Sequence, residues 1–266
     1  MTSDLAGNGT AAGSTEAKVT IRGLTKSFGP VLALTDIDLD LHENEFVSVV
    51  GTSGCGKSTL LSIIAGLTER TEGSVRVDGA EVTGPGRDRG VVFQGSTLLP
   101  WLSALDNVKF ALQDEPIAAA ERTAIAREHL SLVGLDGFED SYPAQLSGGM
   151  QQRVALARSL SYRPGILLMD EPFGALDALT RREMQALLIR VWEKHRLTVM
   201  MITHDIEEAI ITSDRVIVMS RRPGTIRAEL PVPLERPRRP EMNADPVFRD
   251  LFSTVLGMVH EPAPIP

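Results

Sequence analysis

The stretch GTSGCGKST, Gly51 to Thr59, restricts the possible folds of this chain more than any other. It fits G-x-x-x-x-G-K-[ST], follows the apolar run FVSVV and leads into the helically spaced STLLSIIAGL. A buried strand, a glycine-rich turn and a helix in that order aim backbone N–H groups and the positive end of a helix dipole at one point. Such a point holds phosphate. Gly51, Ser53, Gly54, Cys55, Gly56, Lys57, Ser58 and Thr59 are therefore expected to bind a nucleotide. Lys57 is expected to reach the outer phosphates and the Ser58 hydroxyl to ligate Mg²⁺.

Cys55 is the single cysteine, which excludes an internal disulfide framework and favours a reducing compartment. Beside Lys57 and near a helix N-terminus its thiol is expected to lean toward thiolate. The competing reading is a small residue fitted into a tight loop, with a shielded thiol.

Around this loop the pattern is that of an open α/β sheet. VTIRGLT, LALTDIDLDL, EFVSVV, SVRVDG and GVVFQ read as strands, DIDLDL half exposed and FVSVV buried on both faces. ALDNVKFAL, AAAERTAIAREHLSLVG and QQRVALARSL carry helical spacing. The strand pattern then returns in GILLMDEP, TVMMITH and RVIVMS, separated by the helices ALTRREMQALLIRVWEKH and DIEEAIITS. This is a doubly wound parallel core interrupted by a helical insertion. The proline-rich end reads as a loose tail with one short helix near PVFRDLFSTVLGMV. The first residues, MTSDLAGNGTAAGSTEAK, lack the basic and apolar regions of a secretory signal and read as a disordered tail.

ILLMDEP sets Asp170 and Glu171 at the carboxyl end of a buried strand, where ligands sit in open α/β sheets. Asp170 suits the Mg²⁺ shell, and Glu171 suits a general base that polarises the attacking water. His204 ends the strand TVMMITH on the same edge, and Gln94 follows GVVF; neither is distinctive alone. Phe28 has two readings, a ring stacked on a base or a core residue. A second glycine turn, Ser147-Gly148-Gly149, opens straight into a helix and makes a second site for an anion.

Taken together, the phosphate loop, FQ at Phe93-Gln94, LSGGM at Leu146 to Met150, LLMDEP, ALD at Ala175 to Asp177 and THD at Thr203 to Asp205 resemble the ATPases of ABC transporters. That resemblance covers about Lys18 to Leu234. It implies an α/β fold: a P-loop NTPase core of the RecA-like kind, with an antiparallel β subdomain and an inserted α-helical subdomain at about 98–161. The ATPase domain then runs over 18–235, with tails at 1–17 and 236–266.

The resemblance also implies ATP and Mg²⁺ as cofactors and a head-to-tail pair of chains. In such a pair the Ser147–Gly149 turn of one copy meets the γ-phosphate held by the other, so the two anion sites serve different nucleotides. Gln94 then senses Mg²⁺ and the γ-phosphate, Asp177 bridges the pair, and His204 positions the water with Glu171. Phe28 stands where the family often has Tyr, and Met150 where many members have Gln.

LLPWLSALDNVKFAL, DEPFGALDALTR and VIVMSRRPGTI resemble more narrowly the ATPases of bacterial nitrate, sulfonate and taurine importers. The implied partners are membrane permease subunits and, indirectly, an extracytoplasmic solute-binding protein; the implied location is the cytoplasmic face of the membrane. The run LLPWL is either packing within the helical lobe or one wall of a groove for a permease helix. The net charge of −8 argues against nucleic acid as a partner. The insertion of about fifty residues between Gln94 and Ser147 is too short for the long coiled coils of the ABC ATPases of DNA metabolism. A P-loop phosphotransferase would not need the LSGGM helix, while an exporter or lipid-transport ATPase is separated only by the narrower resemblance.

Overall fold

The computed structural model describes residues 17–260. The expected disordered N-terminal tail, apart from Ala17, lies outside the described residues. A four-stranded antiparallel sheet, in the order β2-β1-β4-β5, is built from β1 (Ala17–Phe28), β2 (Val31–His42), β4 (Glu72–Val77) and β5 (Ala80–Glu81). A six-stranded sheet has the order β10-β9-β3-β8-β7-β6. It is formed by β3 (Phe46–Val50), β6 (Arg89–Val92), β7 (Ile166–Asp170), β8 (Thr198–Ile202), β9 (Arg215–Met219) and β10 (Ile226–Pro231). Its strands are parallel except β10, which runs antiparallel to β9.

The period of two along the central strands explains how one sheet feeds two cores. Leu167, Met169, Val199 and Met201 point into one apolar cluster, with Val154, Ala157, Leu188 and Trp192. Their alternates Ile166, Leu168, Met200 and Ile202 point into another, shared with Val19, Ile21, Leu39 and Leu41 of the antiparallel sheet. Between the sheets lies α1 (Lys57–Ile64), whose Leu60, Leu61 and Ile64 fill that second cluster. β2 shows the alternation expected of DIDLDL: Ile37, Leu39 and Leu41 are buried, whereas Asp36 and Asp38 are exposed.

The insertion is helical. α2 (Ala104–Phe110), α3 (Ala119–Leu132) and α4 (Gly148–Ser161) pack on one another, and α4 reaches β6 and α5 (Ala178–His195). Side-chain caps set the helix starts: Ser103 accepts from Asp106 N, Ser147 from Met150 N and Asp177 from Leu179 N and Thr180 N. α6 (Ile206–Thr212) follows β8 under the cap of Asp205.

The C-terminal segment, expected as a loose tail over 236–266, is anchored to the core over its described part, 236–260; 261–266 lie outside the described residues. Arg236 pairs with Asp214 at 2.8 Å and lies 4.1 Å from the Trp192 ring centroid. Buried Arg238 donates to the carbonyls of Leu234, Ile210, Ser213 and Val232, and burial lowers its pKa to about 10. The helix expected near PVFRDLFSTVLGMV is α7 (Pro246–His260), which buries Phe248 and Val255 against α6 and β9. The signal was in the sequence, since Phe248, Leu251, Phe252, Val255 and Val259 recur at helical spacing.

Candidate functional site

The carboxyl ends of β3, β6, β7, β8 and β9 meet on one edge of the large sheet, and each delivers one component. β3 runs into the phosphate loop. Gly56 caps α1 at φ 106° with no side-chain cap, and a Cβ there would come within 2.6 Å of Leu34 Cδ2 and 3.1 Å of Ala33 O. Only glycine fits, and the first N–H groups of α1 stay available to an anion. Lys57 is buried, and its ammonium donates to Gly51 O at 2.8 Å and Thr52 O at 3.1 Å, which holds it across the loop.

The Cys55 side chain is 1% exposed and belongs to the apolar cluster beneath the loop. The expected reactive thiol is thereby corrected to a shielded one; its Sγ lies 3.9 Å from Lys57 Nζ, but packing removes it from solvent.

At the end of β7, the Ser58 hydroxyl donates to Asp170 Oδ1 at 3.0 Å. Burial pushes the Asp170 carboxyl above its ordinary pKa; the Ser58 bond opposes this, neighbouring Glu171 adds to it and Lys57 opposes it. A half-buried carboxylate short of positive charge, beside a hydroxyl, is a set of hard oxygen donors that suits Mg²⁺.

Glu171 takes φ 45°, uncommon for a residue with a side chain, and its N–H donates to Ile202 O at 2.9 Å. Its Oε2 accepts from Gln94 Nε2 at 3.5 Å and from His204 Nδ1 at 3.1 Å. A carboxylate can only accept, so this contact assigns the Nδ1 proton to His204. Gln94 and His204, far apart in sequence, thus converge on one oxygen of Glu171.

A cleft of about 230 Å³ lies over the loop, lined by Phe28, Val31, Ala33, Ser53, Gly54, Gly56, Lys57, Ser58, Thr59, Glu171 and Arg222. The Phe28 ring is half exposed on its wall with Lys26 Nζ 4.7 Å from the ring centroid, so it is not a core residue.

Ser147, Gly148, Gly149 and Asp177 do not line this cleft. Ser147 and Gly148 are exposed, and a Cβ on Gly148 would meet nothing within 4 Å. Gly149 differs: a Cβ there would lie 2.3 Å from Thr180 Cγ2, so its smallness serves the approach of α4 to α5. Asp177 caps α5, and the Thr180 hydroxyl that donates to it at 2.7 Å lowers its pKa.

Two neighbours escaped the sequence reading. Arg222 sat in SRRPGTI, a string with no chemistry of its own until the fold brought it to the loop. Glu208, one residue of the helix DIEEAIITS in the sequence, is buried and accepts from Thr203 Oγ1 at 2.7 Å, while its Oε1 has no hydrogen-bond partner among the described residues. Burial raises its pKa to about 7.

Residues 34–174 match the family model for ABC transporters. An ABC transporter ATP-binding protein of Methanocaldococcus jannaschii is 54% identical over 84% of this chain and 85% of its own length. The bicarbonate transport ATP-binding protein CmpD of Synechocystis is 45% identical over 92% of this chain and 90% of its own. The nitrate import ATP-binding protein NrtD of Synechococcus elongatus is 46% identical over 87% and 86%. A solved dimer of an ATP-binding cassette in a post-hydrolysis state with ADP and phosphate superposes with a TM-score of 0.72 at 36% identity, covering 82% of this chain and all of that one. With the phosphate loop, the acidic strand end and the LSGGM turn opening α4 in place, this chain belongs to the ATP-hydrolysing cassettes of the ABC transporter family.

Proposed function

We propose that two copies of this chain close head to tail on two ATP molecules and drive an importer of a small anionic solute. The observation that carries this reading is the convergence of Gln94 and His204 on Glu171 Oε2, one residue beyond the Asp170–Ser58 pair. In it the phosphate loop binds the nucleotide, Phe28 stacks on the base, and Glu171 accepts the proton of the attacking water. His204 orients Glu171 and faces the γ-phosphate. Ser58, Asp170 and Gln94 would hold Mg²⁺, which when bound neutralises charge on the transferring phosphoryl group.

Ser147, Gly148, Gly149 and Asp177, exposed or outside the cleft, are free to complete the partner's site. The relatives named for nitrate and bicarbonate transport support an oxyanion as the solute. Trp101 is 69% exposed, on a loop that Asn107 pins through Leu99 N, Leu99 O, Leu102 O and Ser103 O. A rigid, exposed tryptophan suits the groove for a permease helix, with a solute-binding protein acting on the permease from outside. No helix among the described residues is long and apolar enough to cross a membrane, so attachment to the cytoplasmic face runs through the permease in this reading.

Mixing two dead variants tests the arrangement. Lys57→Ala disables a chain's own loop and Ser147→Arg disables what it offers a partner. A head-to-tail dimer of one of each holds one intact composite site, and the mixture should recover ATP hydrolysis that neither variant has alone. No recovery, with both variants folded and shown to pair, overturns the composite site.

A further inference from the structure

The nucleotide cleft has a wall that its recognised motifs do not account for: the loop between β9 and β10, carrying Arg221 and Arg222. This loop is fixed to its surroundings. Gly224 N donates to Ala33 O at 2.9 Å and Gly224 O accepts from Thr35 N at 3.1 Å, so it pairs with β2 beside the cleft. A Cβ on Gly224 would lie 2.2 Å from Cys55 O, which makes the glycine a condition for the loop to touch the phosphate loop at all. Behind it, the Ser220 hydroxyl accepts from Thr225 N at 2.9 Å and lies 3.0 Å from Arg221 O and 3.1 Å from Pro223 O.

From this platform Arg222 reaches the cleft, its Nη2 3.9 Å from where a Cβ on Gly54 would stand. Its guanidinium has no ion pair or hydrogen bond among the described residues. The other cation of the wall, Lys57, is held by Gly51 O and Thr52 O, and the one carboxylate, Glu171, is engaged by Gln94 and His204. Arg222 is thus the uncommitted positive charge facing the cavity, in a chain whose net charge is −8. A planar five-donor fork presented beside a phosphate loop matches a phosphate oxygen pair better than an ammonium does.

We propose that Arg222 is a phosphate-contacting residue of the nucleotide site, supplied by the chain's own β9–β10 loop in addition to Lys57. This rests on the nucleotide reading above. Arg221 does not line that cleft; with Arg222, Thr52, Ser53 and Gly54 it borders a neighbouring depression, and it therefore serves as the internal control. In isothermal titration with MgADP and with a non-hydrolysable ATP analogue, Arg222→Gln should bind each about ten-fold more weakly. Arg222→Lys should recover part of that loss, and Arg221→Gln should stay within two-fold of the native chain. Unchanged melting temperatures without nucleotide show that the fold is intact. The inference fails if Arg222→Gln binds within two-fold of native, or if Arg221→Gln loses as much, which would reduce the effect to diffuse charge. Absence of nucleotide binding in the native chain would instead remove the reading on which the inference rests.

Discussion

The two glycine turns of this protein each open a helix, α1 and α4, yet they are finished to different degrees. The loop at Gly51–Thr59 is roofed by its own chain: Phe28, Glu171 and Arg222 complete a cleft around it, and Lys57 is tied across it. The turn at Ser147–Gly149 has its cap and its packing against α5, but it lies outside that cleft, with Ser147 and Gly148 in solvent. The first turn carries binding determinants within one chain. The second is left on the surface, as the proposed head-to-tail pairing requires.

The largest test of this contrast is at Glu171. Glu171→Gln keeps size while losing basicity, so turnover should fall by about 10³-fold with nucleotide affinity retained. Size-exclusion chromatography with ATP and Mg²⁺ should then show an accumulated dimer; near-native hydrolysis would remove Glu171 from its role. Next come the two turns themselves. Lys57→Ala should weaken ATP binding by about 100-fold, whereas Ser147→Arg should leave monomer affinity within about two-fold and cut turnover by about 100-fold. If Ser147→Arg loses affinity at low protein concentration, the second turn belongs to its own chain's pocket and the contrast collapses.

Smaller effects sharpen it further. Gly149→Ala should cost about 1–3 kcal/mol in denaturant unfolding, because the new methyl meets Thr180, while Gly148→Ala should change stability little. Equal costs would mean that the turn is not divided between packing and exposure.

The Glu208 carboxyl, raised to about 7 from 4.5, predicts a pH signature. Between those values the unfolded chain has released a proton that the folded chain keeps, so stability falls as pH rises through this window and levels off above it. Glu208→Gln should flatten that slope and raise the melting temperature most above pH 7. A slope unchanged by the substitution would mean that Glu208 does not titrate there. The last test is at Cys55: with the thiol 1% exposed, maleimide should label the native chain far more slowly than the unfolded one. Rapid native labelling would show that the loop opens.

Much of this was legible in the chain because its signals are local. The strand–loop–helix around Lys57, the acidic end of β7 and the half-buried alternation of β2 each follow from spacing over a few residues. Cys55 shows the limit: neighbouring charge suggested a reactive thiol, but its burial depends on an apolar cluster that includes Met219 of β9 and residues of the antiparallel sheet, far from it in sequence. The C-terminal segment shows another: its helix near PVFRDLFSTVLGMV was legible, but nothing local showed that the stripe from Phe248 to Val259 closes over α6.

By itself the sequence determined the parallel core, the phosphate loop, the helical insertion and the residue types at each strand end, because backbone conformation and hydrophobic period are written over short windows. Only the tertiary structure decided which residues share a space: Gln94 and His204 on one oxygen of Glu171, Arg222 over Gly54, Glu208 sealed beneath Thr203, Phe28 out on the cleft wall. The strand order β9-β3-β8-β7-β6 brings these distant segments to one edge. Convergence of that kind depends on crossover connections and packing between elements, for which a linear pattern carries no local signal.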